Sequence, residues 1–98
     1  MAKFVIFFKP GPAWIRGKSI FEQPLDEHVR YLTKVYKSGK LVMAGPFHDS
    51  SGGMTILEVV DEAEARQIAL EDPVVQSGIL TAEWKSWRPL PWEEYARR

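Results

Sequence analysis

His28 is the first residue of the sequence whose type and spacing suit proton chemistry. It lies three residues after Leu25 and four before Leu32, about 60° and 40° away around a helix of 3.6 residues per turn. The imidazole is therefore predicted to point with the apolar face of a helix. Two interpretations of His28 remain open: a core histidine satisfied by one hydrogen bond, and a catalytic group that transfers a proton near neutral pH.

Asp72 is a second titratable residue in an unusual position. It continues the apolar face of Ala65, Ile68 and Ala69 and stands at the end of a predicted helix, where the macrodipole disfavours a carboxylate. Two compatible interpretations remain open: a cap that accepts N–H groups of the following turn, and a partner that fixes the tautomer of His28. Such positioned acid–base help is worth about 10² to 10⁴ in rate.

Glycines beside a predicted turn suggest room for a ligand. The segment 45–47 ends one predicted strand and the pair 52–53 begins the next, and missing side chains leave space near a sheet. Tight-turn chemistry explains the same glycines without a ligand and is the more ordinary explanation. The candidate substrate-binding residues are Gly45, Pro46, Phe47 and Gly53.

Other reaction classes lack their sequence patterns. The absence of cysteine excludes disulfides, thiolate catalysis and cysteine-based zinc sites. A metal site needs three or four convergent ligands; His48–Asp49 is either a ligand pair or, more ordinarily, a polar loop tip. No glycine-rich phosphate loop, G-x-S-x-G elbow or dinucleotide fingerprint is present. We therefore expect neither a metal nor a cofactor, and hydride or phosphoryl transfer is disfavoured.

Composition points to one domain over residues 1–98, with a loop at 10–23 and a C-terminal tail at 89–98. A hydrophobic content of 45% is enough for one compact core. Thirteen basic residues balance thirteen acidic ones, so no overall field attracts nucleic acid or an anionic membrane surface. The apolar run Phe4 to Phe8 is too short for a signal peptide or a membrane span. We expect a cytoplasmic location.

The elements that must position these groups alternate as βαββαβ. This order is the ferredoxin-like α+β arrangement, in which four antiparallel strands carry both helices on one face, so His28 and Asp72 would share one helix layer. Periodicity and turn signals predict the following elements. They are a strand Ala2–Lys9, a helix from Pro24 to Ser38, a hairpin of Lys40–Phe47 and Met54–Val60, a helix opened by Asp61 and Glu64 that ends before Pro73, and a strand from Ile79 to about Trp87.

The first and last strands are apolar on both faces, so the face without helices needs a cover. A homodimer joined sheet to sheet would remove it from water at about 25 cal/mol per Å². Tryptophans 84, 87 and 92 are expected to serve as core or interface anchors rather than as stacking platforms.

The 10–23 loop shows no sustained hydrophobic period and is expected to lie over a pocket, with Trp14, Ile15 and Phe21 as its anchors. Arg16 in this loop is either a solvated cation or a partner for an anionic substrate.

Short motifs add a family resemblance over about Phe4 to Trp87. They are His28 with Tyr31-Leu32, Gly39-Lys40-Leu41, Ala44-Gly45-Pro46-Phe47, Gly52-Gly53, Glu64-Ala65, Asp72-Pro73, Gly78 and Trp87. In their order and spacing the chain resembles the YCII-related (YciI-like) family. The resemblance implies a dimeric α+β barrel whose cleft holds an acid–base pair matching His28 and Asp72.

Relatives in the wider superfamily include muconolactone isomerase-like enzymes, and one similar branch is associated with dehydrochlorination of chlorinated hydroxyquinols. The 10–23 segment departs from shorter members, so the resemblance does not carry over a substrate.

Three hypotheses follow. The first is a lyase or isomerase that acts on a small, cyclic or aromatic metabolite with His28 and Asp72 as its acid–base pair. The second is a non-catalytic dimeric module that binds a small molecule in the same cleft. The third is a purely structural dimer, which predicts no pocket beside His28.

Overall fold

Four strands form one antiparallel sheet in the order β2-β3-β1-β4. The computed structural model describes residues 1–98. β1 pairs with β3 on one side and with β4 on the other, which suits its β-branched and aromatic side chains on both faces. The strands are β1 (Ala2–Pro10), β2 (Leu41–Pro46), β3 (Gly53–Val59) and β4 (Leu80–Trp87).

The helices are α1 (Asp26–Lys37), α2 (Glu62–Leu70), α3 (Pro73–Gln76) and α4 (Trp92–Ala96), with a 3₁₀ turn at Ile20–Glu22. α1 begins two residues after the predicted Pro24, with Leu25 at its N-cap position, and ends before Gly39. Gly39 has a φ of 84°, a left-handed conformation that glycine adopts without steric cost. The predicted stop signal of α1 is therefore confirmed.

The start of α2 differs in one bond from the predicted capping box. Asp61 accepts the backbone N–H of Glu64 at 3.0 Å, as the box requires. The Glu64 carboxylate accepts the N–H of Val60 at 2.9 Å instead of that of Asp61, and it also binds Lys40 Nζ at 2.6 Å. Glu64 thus joins the start of α2 to the residue before β2.

The packed core lies between α2 and the sheet. Phe4, Ile6 and Phe8 of β1 point into it, and Ala65 and Ala69 of α2 are fully buried there. These two alanines have side chains small enough to let α2 lie close to the strands. The predicted division of β1 into two apolar faces is confirmed.

Helix α1 is less buried than α2: Val35 is its single buried residue, whereas three residues of α2 are buried. The apolar stripe that predicted a buried helix face instead lines an open cleft, and Val29 and Tyr36 on it are 61% and 62% exposed. The apolar face predicted for this helix is thus present, but Val35 is the one residue of it that is buried. α2 packs on β4, β1 and β3, whereas α1 contacts β2 at the other edge of the sheet, and the cleft lies between α1 and the sheet.

The other sheet face carries no helix and is apolar in the middle. Strand register places Val5, Phe7, Ile56 and, at the edges, Met43 and Trp87 on this face. Met43 is 63% exposed and Trp87 is 44% exposed. Ion pairs border the apolar area: Lys3 with Glu58 at 2.5 Å and Lys9 with Glu83 at 3.7 Å. The sheet-to-sheet homodimer stays a prediction.

The loop over residues 10–23 keeps one of its three predicted anchors. Trp14 packs against the core as expected, but Ile15 and Phe21 are exposed, and Ile20 and Gln23 are buried instead. The Gln23 amide accepts the N–H of Ile15 at 2.9 Å and donates to the Ile15 carbonyl at 2.9 Å. Two apolar side chains, Trp14 and Ile20, and the buried Gln23 amide therefore anchor the loop.

Residues 89–98, predicted as a tail, contain α4. Trp92 packs edge-on against Tyr95 with ring centroids 5.2 Å apart, and Arg97 pairs with Glu93 at 2.6 Å. Trp92 remains 67% exposed, whereas Trp84 packs against the core and donates to Glu62 at 3.4 Å. None of the helices combines the length and the apolar character needed to cross a membrane.

Candidate functional site

His28 and Asp72 meet where α1 faces the junction of α2 and α3. His28 Nδ1 lies 2.5 Å from Asp72 Oδ2, a separation typical of a short, charge-assisted hydrogen bond. The His28 side chain is 15% exposed and that of Asp72 is fully buried. The two residues that the sequence assigned to one helix layer are therefore in direct contact.

Asp72 divides its two carboxylate oxygens between two tasks. It is the N-cap of α3, and Oδ1 accepts the backbone N–H of Val74 at 3.1 Å, while Oδ2 faces His28. Pro73 occupies the first helical position, where its fixed φ is favourable. The structure thus contains both arrangements that the sequence left open, the local cap and the contact with the histidine.

The hydrogen-bond network assigns the tautomer of His28. Oδ1 of Asp72 already accepts an N–H, and a carboxylate offers Oδ2 as a further acceptor, so the ring donates Nδ1–H to Oδ2, and in its neutral form carries its lone pair on Nε2. Nε2 has no partner within the protein and is not sealed from solvent. Phe8 packs against the ring at 81° with centroids 4.9 Å apart, which restricts its orientation.

Tyr31 fastens the helix that carries His28 to the helix that precedes Asp72. Its hydroxyl donates to the Ile68 carbonyl at 2.7 Å, an oxygen in the last turn of α2, where backbone acceptors lack helical partners. Burial, reinforced by the charges of Glu71 and Asp72, raises the pKa of Tyr31 to about 12. The phenol therefore remains a neutral donor throughout the physiological range.

Sequence reasoning gave Tyr31 no role. The available signal was its position three residues after His28, which places both on one helix face.

A cleft of about 570 Å³ opens beside His28, between α1, the 3₁₀ turn and the sheet. This volume lies within the range of about 300–1,000 Å³ that is usual for small-molecule sites. Eleven of its 19 lining residues are hydrophobic, which also matches such sites. Its polar groups are the side chains of Gln23, Asp26, His28, Thr33 and Thr55 and the hydroxyl of Tyr36, which is counted among the eleven.

Three of the four predicted substrate-binding residues line the cleft, namely Gly45, Pro46 and Gly53. Phe47 is not among the lining residues and is 37% exposed, since it lies beyond the end of β2. A Cβ atom on Gly53 would lie 2.7 Å from the Gly45 carbonyl oxygen, so close strand pairing requires a glycine there. The structural explanation therefore accounts for Gly53 without a ligand.

The remaining sequence candidates lie outside the cleft lining. In the β2–β3 turn, Asp49 accepts the N–H of Ser51 at 2.9 Å, and hydrogen bonds from Ser51 lower the pKa of Asp49. This bond favours the loop-tip interpretation of the pair with His48. Arg16 does not line the cleft, and no three His, Asp or Glu side chains converge as metal ligands would.

Comparison with known proteins identifies the family. A family model described as the YCII-related domain matches residues 2–87. The chain belongs to the YCII-related family. A relative from Bacillus subtilis (strain 168), the uncharacterized protein YjpA, is 30% identical over 74 residues, which cover 76% of this chain and 87% of the relative. The resemblance inferred from the sequence motifs is confirmed.

A solved structure shows the same fold. It is the 5-chloro-2-hydroxyhydroquinone dehydrochlorinase (TftG) from Burkholderia phenoliruptrix AC1100 in complex with 2,5-dihydroxybenzoquinone. The TM-score is 0.63 at 18% identity, and the match covers 88% of this chain and 93% of that chain. The predicted ferredoxin-like α+β arrangement is confirmed, and the YCII-related chain shares it with an enzyme.

Proposed function

We propose that this YCII-related protein is a small-molecule enzyme in which Nε2 of His28 transfers a proton and Asp72 holds the ring. The main support is the 2.5 Å contact between His28 Nδ1 and the fully buried carboxylate of Asp72. His28 itself lines the cleft of about 570 Å³. One ring nitrogen is held by the protein, and the other is available to a ligand. That division of roles is the one a histidine general base requires.

The chemistry follows from the tautomer. Nε2 accepts a proton from the substrate, the ring becomes an imidazolium, and Asp72 compensates the new charge through Nδ1–H. Return of the proton to another carbon completes an isomerisation. Departure of a leaving group from the carbon next to the one that lost the proton instead completes an elimination. The proposed reaction class is therefore isomerase or lyase. The fold neighbour, a dehydrochlorinase by name, is an enzyme of the second class.

Solvent exchange tests this proposal before the net reaction is known. Small hydroxylated aromatic compounds and lactones are incubated with the protein in D₂O, and deuterium incorporation or product formation is followed by mass spectrometry. We expect exchange on at least one compound, and loss of about 10² to 10⁴ in its rate in His28→Ala and Asp72→Asn. His48→Ala is the matched control, because His48 is exposed and does not line the cleft.

Unchanged exchange in His28→Ala, in a variant that still folds, would refute the acid–base role. Compounds that bind the cleft without any exchange would favour the non-catalytic binding module.

We also propose that a second copy of the chain covers the face of the sheet without helices. The apolar middle of that face is bordered by the Lys3–Glu58 and Lys9–Glu83 pairs, and an apolar centre with a polar rim is the usual anatomy of an interface. Each copy brings both signs of charge, so the face is able to pair with itself about a twofold axis. Sedimentation of the purified chain tests this assembly.

A further inference from the structure

The charges around the cleft are unbalanced. Of the lining residues, Asp26 is the single carboxylate, and none is a lysine or an arginine. Asp26 makes no ion pair, whereas the neighbouring Glu27 pairs with Arg30 at 3.8 Å and does not line the cleft. In the loop, Lys18 is paired with Glu22 at 3.8 Å. No cation therefore faces the cleft to offset Asp26.

Two further groups contribute charge at this place. The N-terminus of α1 begins at Asp26, and a helix N-terminus is equivalent to roughly half a positive charge. A full negative charge on Asp26 outweighs it, whereas the charge of Glu27 in the same turn is offset by Arg30. Any charge that His28 gains is compensated by Asp72. Asp26 is therefore the one charged side chain of the cleft lining that no ion pair offsets.

The walls also set the kind of molecule that fits. Phe8, Ile20, Leu32 and Leu80 line the cleft, and apolar area of this kind attracts an apolar ligand body. A cavity of about 150 Å³ is enough to enclose benzene, so the space of about 570 Å³ accommodates a substituted ring.

Building on the proposed function, which makes this cleft a ligand site, we propose that it selects uncharged, ring-sized ligands and rejects carboxylates and phosphates through Asp26. Such a ligand presents its proton to Nε2 of His28 and places its apolar body against the walls. The chemical class is a neutral hydroxylated or carbonyl-bearing ring compound. An acid of the same shape meets an uncompensated carboxylate.

Benzamide and benzoate test this selection, because they have nearly the same shape and differ in charge at neutral pH. Each is titrated into the ¹⁵N-labelled protein while the amide resonances of Thr33, Thr55 and Leu80 are followed. We expect benzamide to bind about fivefold more tightly than benzoate, because Asp26 is exposed and water screens the repulsion between like charges. Asp26→Asn should bring benzoate close to benzamide, and Glu27→Gln should leave the ratio unchanged.

Benzoate binding as tightly as benzamide would overturn the inference, and so would a ratio that Asp26→Asn does not alter. If Glu27→Gln changed the ratio of the two affinities as much as Asp26→Asn does, the selection would depend on the overall charge of the protein and not on the cleft. Failure of both compounds to bind would overturn the ligand class. These titrations leave His28 and Asp72 intact, so their failure is distinguishable from failure of the acid–base proposal, which is read from exchange in His28→Ala.

Discussion

Replacing Asp72 by asparagine exchanges one hydrogen-bond acceptor for a donor at the centre of the site. The amide oxygen is able to keep the bond from the Val74 N–H, which Oδ1 now accepts at 3.1 Å. The amide NH₂, however, would face Nδ1 of His28 in place of Oδ2. Because NH₂ offers only donors, the ring must turn its lone pair toward it, which moves the ring proton to Nε2. We expect the wrong tautomer for a general base.

The structure also sets the cost in stability. Hydrogen bonds to charged groups contribute about 1.5–3 kcal/mol and neutral ones about 0.5–1.5 kcal/mol. Asp72→Asn exchanges one kind for the other and should lower the free energy of unfolding by about 1 kcal/mol. Asp72→Ala loses both bonds and leaves the buried N–H of Val74 unsatisfied, so it should cost about 3 kcal/mol or more.

Two measurements check this reasoning. Urea denaturation gives the free energies of unfolding of the wild type and both variants, and ¹⁵N chemical shifts of the His28 ring give its tautomer. Equal destabilisation by Asn and Ala would contradict the division of the two carboxylate oxygens. An unchanged ring tautomer in Asp72→Asn would refute the pairing of His28 with Asp72.

Three further predictions concern the supports of the site and its assembly. Tyr31→Phe removes the bond to the Ile68 carbonyl and should cost about 0.5–1.5 kcal/mol in urea denaturation. Folding raises the pKa of Tyr31 from 10.0 to about 12, so its contribution to the free energy of unfolding is complete below pH 10 and is lost between pH 10 and pH 12. The difference in free energy of unfolding between the wild type and Tyr31→Phe should therefore narrow over that range. A difference that stays constant would contradict this prediction. The Lys40 hydrogen bond, with that from Val60, lowers the pKa of Glu64 below its ordinary 4.5. The stability lost in Glu64→Gln should therefore be seen at pH 7 and disappear on acidification below 4.5, and a difference independent of pH would argue against the ion pair. Met43→Lys, on the exposed edge of the face without helices, should shift sedimentation from dimer to monomer, whereas Leu70→Lys on the helix layer should not; a monomeric wild type at micromolar concentration would exclude the dimer.

Much of the fold was predictable from the sequence because its signals are local. Alternation of apolar residues in β1, the Gly39 stop and the Asp61–Glu64 pair each depend on residues a few positions apart. The βαββαβ order then restricted the topology to a ferredoxin-like sheet. The same local periodicity gave the inward direction of His28 and the unusual position of Asp72, and the family motifs suggested that the two act together.

Only the tertiary structure determines what these inward-facing side chains contact. The sequence of α1 shows an apolar stripe, but only the position of α2 over the sheet leaves a cleft beneath that stripe instead of a packed core. The contact of Tyr31 with the Ile68 carbonyl joins residues 37 positions apart, and no local pattern encodes such a bond. Phe47 and Arg16 were plausible ligand contacts by sequence, and the chain path places both outside the cleft.

Asp72 makes one contact that the local sequence determines and one that only the fold determines. The Asp-Pro pair determines the local cap, because a carboxylate before a first-turn proline reaches the N–H groups that follow it. Its second oxygen is committed to His28 only by the packing of α1 beside α3. Short-range stereochemistry is therefore readable from the sequence, whereas the partner of a buried charge depends on which elements the fold brings together.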